Sequence, residues 1–292
     1  MGNLSNIYSF ISRINKKSNG IIVDAQDVKI AEMIIKGKNE RFANQDTERK
    51  SEFKEKYNID LTSEQLEDFY LTSCKLKWRR PEQLPGEGYL PGGFAFNGIT
   101  PLFESQVQFW KESIGVFDQS DQENTIDYSL LKQLRWLESP TPLNFAELTP
   151  QFGCVKFEPD KFPEQFYFYD SGLIFPLTLE SLEEYIADLI CSAAVTCWQY
   201  FYIDPDLIIS KNKALNYTTW SLHSLSKLDF GTRKLECNKD STVDRLDLIN
   251  EYLERCIRLL PDAFPFIDFS HHVNYYQIFK NKYDAEKQLA AG

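Results

Sequence analysis

The pattern of hydrophobic and polar positions is clearest between residues 166 and 204. Two runs of aromatic and aliphatic residues, 166–169 and 173–175, flank the tripeptide Asp170-Ser171-Gly172. A short polar loop that contains glycine between two hydrophobic runs is typical of a β-hairpin. Pro176 is expected to end the second strand, because proline cannot donate a hydrogen bond to a neighbouring strand.

A long helix is predicted directly after the hairpin. Ser181 followed by Glu184 fits a capping box, in which both side chains satisfy backbone N–H groups at the helix start. Apolar or small residues then recur with the spacing of one helical face: Leu182, Tyr185, Ile186, Leu189, Ile190, Ala193, Ala194 and Cys197. The opposite, polar face carries Glu183, Glu184, Asp188 and Ser192. We therefore expect a helix that covers one face of a sheet and continues to Cys197.

The same kind of pattern predicts further elements along the chain. Helical spacing is present in residues 4–15, 26–57, 62–73, 126–137 and 241–260, and strand-like runs are present in residues 21–23, 75–80, 94–96, 99–103 and 154–157. Residues 81–93 hold several proline and glycine residues and are interpreted as a loop. The aromatic tail, residues 264–279, is expected to pack back on the body.

The order of these elements predicts an α+β fold, with a mostly antiparallel sheet flanked by helices and extra helical segments at both ends. Strands follow one another directly, and no alternation of strands and helices indicates a parallel sheet. We divide the chain into an N-terminal helical arm (1–57), an α+β core (58–205) and a C-terminal helical extension packed on the core (206–288). Residues 289–292 have the appearance of a cloning remnant.

Charge is distributed unevenly along the chain. The net charge is −11, but the first 56 residues are net basic, so the remainder carries the whole acidic excess. Phosphate repulsion disfavours direct binding of nucleic acid to such a body. A basic protein partner is favoured, because opposite electrostatic fields accelerate encounter. Acidity also serves solubility alone in many proteins.

Cysteine use and hydropathy indicate a cytoplasmic protein. The six cysteines include no C-x-x-C pair, so neither a zinc nor a redox motif is present and reduced thiols are expected. No apolar run approaches the length of a membrane span, and no secretion signal is evident.

The search for catalytic and metal-binding motifs assigns no site. The three histidines, His223, His271 and His272, lack the spacing of a metal-binding motif. No G-x-S-x-G elbow is present, and the paired carboxylates fall where a helix face or a turn favours polar residues. We therefore predict no catalytic residue, no metal and no cofactor. A Cys–His nucleophilic pair stays open, because its members meet only in the fold.

Residues 58–205 resemble the SUKH superfamily, which includes a fungal cell-wall-synthesis regulator and many bacterial immunity proteins. Three segments carry the resemblance: Tyr169-Asp170-Ser171-Gly172, then residues 176–186 with the sequence PLTLESLEEYI, then Trp198-Gln199-Tyr200-Phe201. Residues 61–70 are similar to the helix with which that domain begins.

The resemblance implies an immunity protein, an antidote that binds a toxin delivered by a neighbouring cell and blocks it. The partner would be a basic toxin protein, such as a nuclease, bound through a protein–protein interface. We expect the contact to use carboxylates near the sheet and in the acidic segment 118–127, namely Glu104, Glu112, Asp118, Asp121 and Glu123. An enzyme, either a hydrolase or a transferase with an unmarked site, and a non-enzymatic interaction scaffold are the alternatives.

Overall fold

The structure, a computed structural model, describes residues 3–23, 43–62, 75–81, 90–97, 128–139, 151–158, 164–170, 173–214 and 244–291. Within these ranges it contains seven α-helices and one seven-stranded antiparallel sheet, so the predicted α+β class is confirmed. Residues 26–42 of the predicted helical segment 26–57, residues 63–73 of the predicted helix 62–73 and the strand-like run 99–103 lie outside these ranges. None of the helices in the described ranges combines the length and the apolar character that crossing a bilayer requires.

The sheet is a meander in which each strand pairs with the next along the chain. All six pairings are antiparallel. The strands are β1 (Ile22–Val23), β2 (Lys75–Arg80), β3 (Leu90–Phe96), β4 (Leu134–Ser139), β5 (Gln151–Lys156), β6 (Phe166–Asp170) and β7 (Leu173–Pro176). The predicted hairpin is confirmed as β6 and β7, in which Asp170 pairs with Leu173.

Seven helices accompany the sheet. They are α1 (Asn3–Lys17), α2 (Ala43–Tyr57), α3 (Tyr128–Gln133), α4 (Leu182–Cys191), α5 (Pro205–Ala214), α6 (Arg245–Ala263) and α7 (Ser270–Ala291), and a 3-10 helix spans Trp198–Tyr202. Ser181 caps α4 as predicted, because its side chain accepts a hydrogen bond from the Glu184 backbone N–H at 3.1 Å. Glu184 Oε2 in turn accepts from the backbone N–H of Glu180 at 2.8 Å.

The predicted loop 81–93 is wrong at its end, because β3 already begins at Leu90. Gly92 fits this strand because a β-carbon there would overlap the indole of Trp78 on the neighbouring strand. Gly93 has a φ of +144°, which side-chain-bearing residues rarely adopt. Glycine in this segment therefore serves close packing of two strands, whereas its frequency in the sequence indicated a loop.

The predicted helix over residues 126–137 is also wrong in part. The helix α3 ends at Gln133, and β4 starts at the next residue. Leu134 and Leu137 are buried as expected, but they are buried as members of a strand. The two leucines pack into separate hydrophobic clusters on opposite faces of the sheet, as residues three apart in a strand do. A strand that is buried on both faces can therefore show the three-residue spacing of a helix in the sequence.

The helix after the hairpin is shorter than predicted, since α4 ends at Cys191 and not at Cys197. Ser192, predicted on the polar face, is fully buried at the end of this helix. Near the C-terminus, Asp244 caps α6, and α6 continues through Pro261 to Ala263. The sequence predicted that this helix ends at residue 260, directly before Pro261, because proline disfavours continuation of a helix.

A large hydrophobic cluster lies on one side of the sheet. It contains residues from the predicted N-terminal arm, the core and the C-terminal extension, including Ile7 of α1, Tyr185 of α4, Leu253 of α6 and Phe279 of α7. The aromatic tail packs back as predicted, because Phe264 and Phe279 belong to this cluster. A smaller cluster covers part of the other face, with Leu131, Leu134, Phe152, Cys154, Tyr169 and Ile174.

Candidate functional site

The segment that follows α4 is inserted beside β3 in a strained conformation. Ala193, Ala194 and Cys197 have positive φ angles of 52°, 51° and 58°. Such angles are uncommon for residues other than glycine, and persist where surrounding contacts hold them. Here the carbonyl of Ala194 accepts from the Gly93 N–H at 2.7 Å, and the Thr196 N–H donates to the Pro91 carbonyl at 3.2 Å. The segment therefore forms one antiparallel bridge to β3, between Val195 and Gly92, and positions the 3-10 helix.

A first group of buried polar side chains centres on Glu138 of β4. Its Oε2 atom accepts from the Tyr185 hydroxyl at 2.9 Å and from the Gln199 amide at 2.8 Å. Burial raises the pKa of Glu138 to about 7, while side-chain contacts from Tyr185, Gln199 and Trp198 oppose that increase. Oε1 makes no hydrogen bond to the described residues. The carboxyl is thus largely neutral below pH 7 and joins β4 to α4 and the 3-10 helix.

Gly153 of β5 provides the space for this group. A β-carbon at this position would overlap the Tyr185 hydroxyl and would lie 3.0 Å from Glu138 Oε2. Gly153 also pairs with Glu138 across the register shift in β4. The shift and the missing side chain together allow a carboxyl and a phenol to meet under the sheet.

A second buried group centres on Asp170 of β6. Arg245 of α6 forms an ion pair with it, and the Tyr200 hydroxyl donates to the same oxygen. The amide of Gln151 donates to Oδ1 at 3.1 Å, and Cys197 Sγ contacts Gln151 at 3.0 Å. Burial alone would lower the pKa of Arg245, but Asp170 and Tyr200 more than reverse this effect and raise it. The ion pair therefore attaches α6 to the sheet.

A third group joins α4 to α7 through Ser192 and His272. Ser192 Oγ lies 2.8 Å from His272 Nε2. The Tyr202 hydroxyl contacts both Ser192 and Asp188. Burial, and to a smaller extent the nearby His271, lower the pKa of His272 to about 3, while Asp268 opposes this decrease. A hydroxyl beside an imidazole is the arrangement of a nucleophilic catalyst, but both side chains are at most 1% exposed, and so this pair is closed to a substrate in this structure.

An acidic surface lies directly outside this third group. The Tyr202 ring stacks on His271 with ring centres 5.1 Å apart, and its hydroxyl contacts Asp188. This joins the exposed face of α4, the turn into α5 and the start of α7. We define the acidic surface as Glu180, Glu183, Glu184, Asp188, Asp204 and Asp268. None of the six forms an ion pair with a lysine or arginine of the described residues.

Half-buried Asp188 is the member of this surface with a perturbed titration. Burial raises its pKa to about 6, while His271 and the Tyr202 hydroxyl act in the opposite direction. Asp188 and Asp268 both raise the pKa of the exposed Cys191 thiol, after burial as the largest cause. The end of α4 and the start of α7 therefore share a negative electrostatic potential.

The five residues predicted to bind a partner, Glu104, Glu112, Asp118, Asp121 and Glu123, lie outside the described residues, as does His223. The carboxylates of α4 were interpreted from the sequence as an ordinary solvated helix face. Their convergence with Asp204 and Asp268 depends on contacts between segments far apart in the chain, and the local pattern carries no signal of it.

No group of three or more His, Cys, Asp or Glu side chains in the described part of the chain is arranged to hold a metal ion. The four cysteines of that part, Cys154, Cys191, Cys197 and Cys256, are free thiols. Comparison with protein-family models, with curated proteins and with solved structures finds no match to this chain.

Proposed function

We propose that this chain is an immunity protein that binds a basic toxin protein, such as a nuclease, and neutralises it through the acidic surface. The observation that carries the proposal is a set of six carboxylates, three on α4 and three in the segments that precede α4, α5 and α7, without an ion pair to a lysine or arginine among the described residues. The resemblance of residues 58–205 to the SUKH superfamily supports the same function.

The physical basis is electrostatic complementarity. An uncompensated patch on a chain of net charge −11 attracts a basic surface over distances beyond direct contact, which increases the association rate. Carboxylates that face the basic groups of a nuclease also compete with the phosphates of its substrate. Binding of this kind needs no catalytic group in the antidote.

The framework beneath the surface favours a rigid binding site. Tyr202 and Asp188 are anchored through the Ser192–His272 contact, and the Tyr275 hydroxyl donates to the Ile203 carbonyl at 2.7 Å. Carboxylates held on packed elements lose little conformational freedom when a partner docks, and this limits the entropic cost of association.

The test uses the protein encoded by the adjacent reading frame as the candidate toxin. We expect co-expression to protect the host from it and the purified proteins to associate. The triple variant Glu180→Gln, Glu184→Gln and Asp268→Asn should slow association about tenfold at low salt and reduce its salt dependence. Stopped-flow measurement of association at several ionic strengths reports both effects.

A matched control changes the same number of charges on α2, with Glu48, Glu52 and Glu55 replaced by Gln. Equal slowing by both triple variants would assign the effect to net charge and contradict a role for the acidic surface. A third variant, Asp118→Asn, Asp121→Asn and Glu123→Gln, tests the partner-binding residues predicted from the sequence in the same assay. Failure of the wild type to protect against the candidate toxin would contradict the function itself.

The contact between Ser192 and His272 is the observation that favours the enzymatic alternative. If the chain is a hydrolase, the purified protein should react with a fluorophosphonate probe and lose that reactivity in the variant Ser192→Ala. We expect no such labelling, because both side chains are enclosed. Labelling that depends on Ser192 would replace the immunity proposal with a hydrolase.

A further inference from the structure

The 3-10 helix connects a buried carboxyl group with the acidic surface. Near its start, the Gln199 amide donates to Glu138 Oε2 at 2.8 Å. At its end, the Tyr202 ring stacks on His271, and the Tyr202 hydroxyl contacts Asp188. The helix has only five residues. A change at Glu138 is therefore transmitted to the acidic surface through a very short piece of backbone.

The two side chains of the Glu138–Gln199 contact each have one buried oxygen that pairs with no donor among the described residues. These atoms are Glu138 Oε1 and Gln199 Oε1. If the carboxyl group is ionised, both oxygens only accept hydrogen bonds, so neither satisfies the other. If the carboxyl group carries a proton on Oε1, that proton gives both atoms a partner at once. The neutral acid thus fits this site better than the carboxylate does.

The titratable groups that face Glu138 from the neighbouring elements are neutral. They are Tyr185 of α4, Cys154 of β5 and Cys197 directly before the 3-10 helix. Burial is the largest cause that raises the pKa of each of these groups above its ordinary value, so none of them ionises near neutral pH. No lysine or arginine of the described residues forms an ion pair with Glu138. Within this described group, Glu138 is the residue that titrates.

The segment that leads into the 3-10 helix depends on its contacts. Cys197, the residue before the helix, has a φ of 58°, and Ala193 and Ala194 are left-handed as well. Residues other than glycine stay in this conformation only where surrounding contacts stabilise it. Loss of a contact at Gln199 therefore favours opening of this segment before the sheet or the long helices open.

We propose that Glu138 and Gln199 form a two-bond acid–amide pair, which acts as a proton-dependent latch on the 3-10 helix. In the closed state, Glu138 Oε1 carries the proton and donates to Gln199 Oε1, while the Gln199 amide donates to Glu138 Oε2. When the carboxyl group loses its proton to solvent, two acceptor oxygens face each other without a donor, and the segment opens. Tyr202 then supports Asp188 and His271 less firmly. The latch does not depend on the proposed function, because it controls the acidic surface whatever binds there.

The direction of the pH dependence follows from burial. In the closed state, burial raises the pKa of Glu138 from 4.5 to about 7, and exposure in the open state restores the ordinary value. The closed state is therefore most stable below pH 4.5, loses stability as pH rises to 7, and has constant stability above. The equilibrium constant of opening should increase about tenfold per pH unit in this interval, or about a hundredfold from pH 5 to pH 7.

Amide hydrogen exchange of the wild type measures this opening, once the intrinsic effect of pH on exchange is corrected for. We expect the increase of about a hundredfold in residues 198–203. Residues 280–288 of α7, whose ion pairs are made within α7 and with α5 and α6, should show no such change. The free energy of opening should also be smaller than that of global unfolding measured with urea. Equal values would assign the exchange to global unfolding and overturn the latch.

Three variants separate the latch from other causes. Glu138→Gln replaces the acid O–H by an amide N–H, so the segment should stay closed and lose the pH dependence. Asp188→Asn removes the other titrating carboxyl group that contacts Tyr202, and the pH dependence should persist. The exchanged pair, Glu138→Gln with Gln199→Glu, again combines one acid with one amide and should regain it. The proposal would be overturned by a pH-independent wild type, by persistence in Glu138→Gln, by loss in Asp188→Asn, or by an exchanged pair that stays pH-independent.

Discussion

Glu138 of β4 and Asp170 of β6 are both fully buried carboxyl groups, but they have different partners. Asp170 faces the guanidinium of Arg245. Among the described residues, Glu138 accepts side-chain hydrogen bonds from the uncharged groups of Tyr185 and Gln199 and pairs with no cation. Two carboxyl groups that are equally buried can therefore behave differently. The cation of Arg245 compensates Asp170 for its lost hydration, whereas the neutral donors around Glu138 do not, and Glu138 keeps its proton to higher pH.

The two groups also connect different parts of the chain. Arg245 reaches Asp170 from 75 positions away, so this ion pair holds the C-terminal helices against the hairpin. Glu138 joins the middle of the sheet to α4 and to the 3-10 helix. Loss of the first group should therefore detach whole elements, whereas loss of the second should change the pH dependence of stability.

The largest effect is expected from breaking the ion pair. Arg245→Ala leaves Asp170 buried without its cation, and this should lower the free energy of unfolding by about 3–5 kcal/mol. Urea denaturation followed by circular dichroism measures the loss. The double variant Asp170→Asn and Arg245→Met removes both charges and should recover much of it. If Arg245→Ala loses no more unfolding free energy than the double variant does, the two buried charges do not depend on each other.

The next effect concerns Glu138 and pH. Because the pKa of Glu138 is raised from 4.5 to about 7 in the folded protein, the folded state holds this proton between those two values while the unfolded state has lost it. Stability from this group is therefore complete below pH 4.5, falls as pH rises to 7, and is constant above. The total decrease is about 3 kcal/mol.

Glu138→Gln keeps an acceptor for Tyr185 and Gln199 and removes the titration. The difference in unfolding free energy between the variant and the wild type should thus change by about 3 kcal/mol in favour of the variant from pH 4.5 to pH 8. Urea titrations at several pH values measure it, and Glu183→Gln on the exposed face of α4 is the control. A difference that does not vary with pH would place the ionisation of Glu138 outside this range.

The sequence predicted the elements of this region much better than their polar contacts. The hairpin, the Ser181 cap and the buried face of α4 follow from local patterns of two, three or four residues. Glu138 and Gly153 could not be identified in this way, because a glycine in a strand and a carboxylate beside prolines have many local explanations. Their meaning depends on a register shift and on a tyrosine 47 positions from Glu138.

The polar contacts of Asp170 could not be predicted from the local sequence either. The sequence indicated a turn residue, which is a common position for aspartate, and the structure shows the last residue of β6 in contact with α6. The end of α4 was mispredicted because Ala193, Ala194 and Cys197 continue the apolar helical spacing. Backbone hydrogen bonds to β3 hold these residues in a left-handed conformation, and local propensity opposes it.

A smaller loss is expected from filling the space beside Glu138. Gly153→Ala places a methyl group against the Tyr185 hydroxyl and should lower the free energy of unfolding by about 2 kcal/mol. Thermal and urea denaturation measure this effect. In a double variant with Tyr185→Phe, the overlapping oxygen is absent, so Gly153→Ala should lower the free energy of unfolding by less. If the alanine costs the same with either aromatic residue, the overlap with the hydroxyl is not its cause.

Removing one hydroxyl at each carboxyl compares the two sites directly, and the smallest loss of all is expected at Glu138. Tyr185→Phe takes away one of two hydrogen bonds to Glu138 Oε2 while the Gln199 amide stays, so a loss of about 1 kcal/mol is expected near pH 6. Because the Tyr185 contact lowers the pKa of Glu138, the variant should also extend the pH-dependent decrease in stability to higher pH.

Tyr200→Phe is the matched change at Asp170, where the hydroxyl donates to a carboxylate paired with Arg245. Hydrogen bonds to charged groups contribute roughly twice as much as bonds to neutral groups, so about 2 kcal/mol should be lost here. Urea denaturation of the two variants at pH 6 and pH 8 compares the sites. Near pH 8 Glu138 is ionised, so the stability lost by Tyr185→Phe should approach the stability lost by Tyr200→Phe. If the difference between the two losses is the same at pH 6 and pH 8, charge is not what distinguishes these two carboxyl groups.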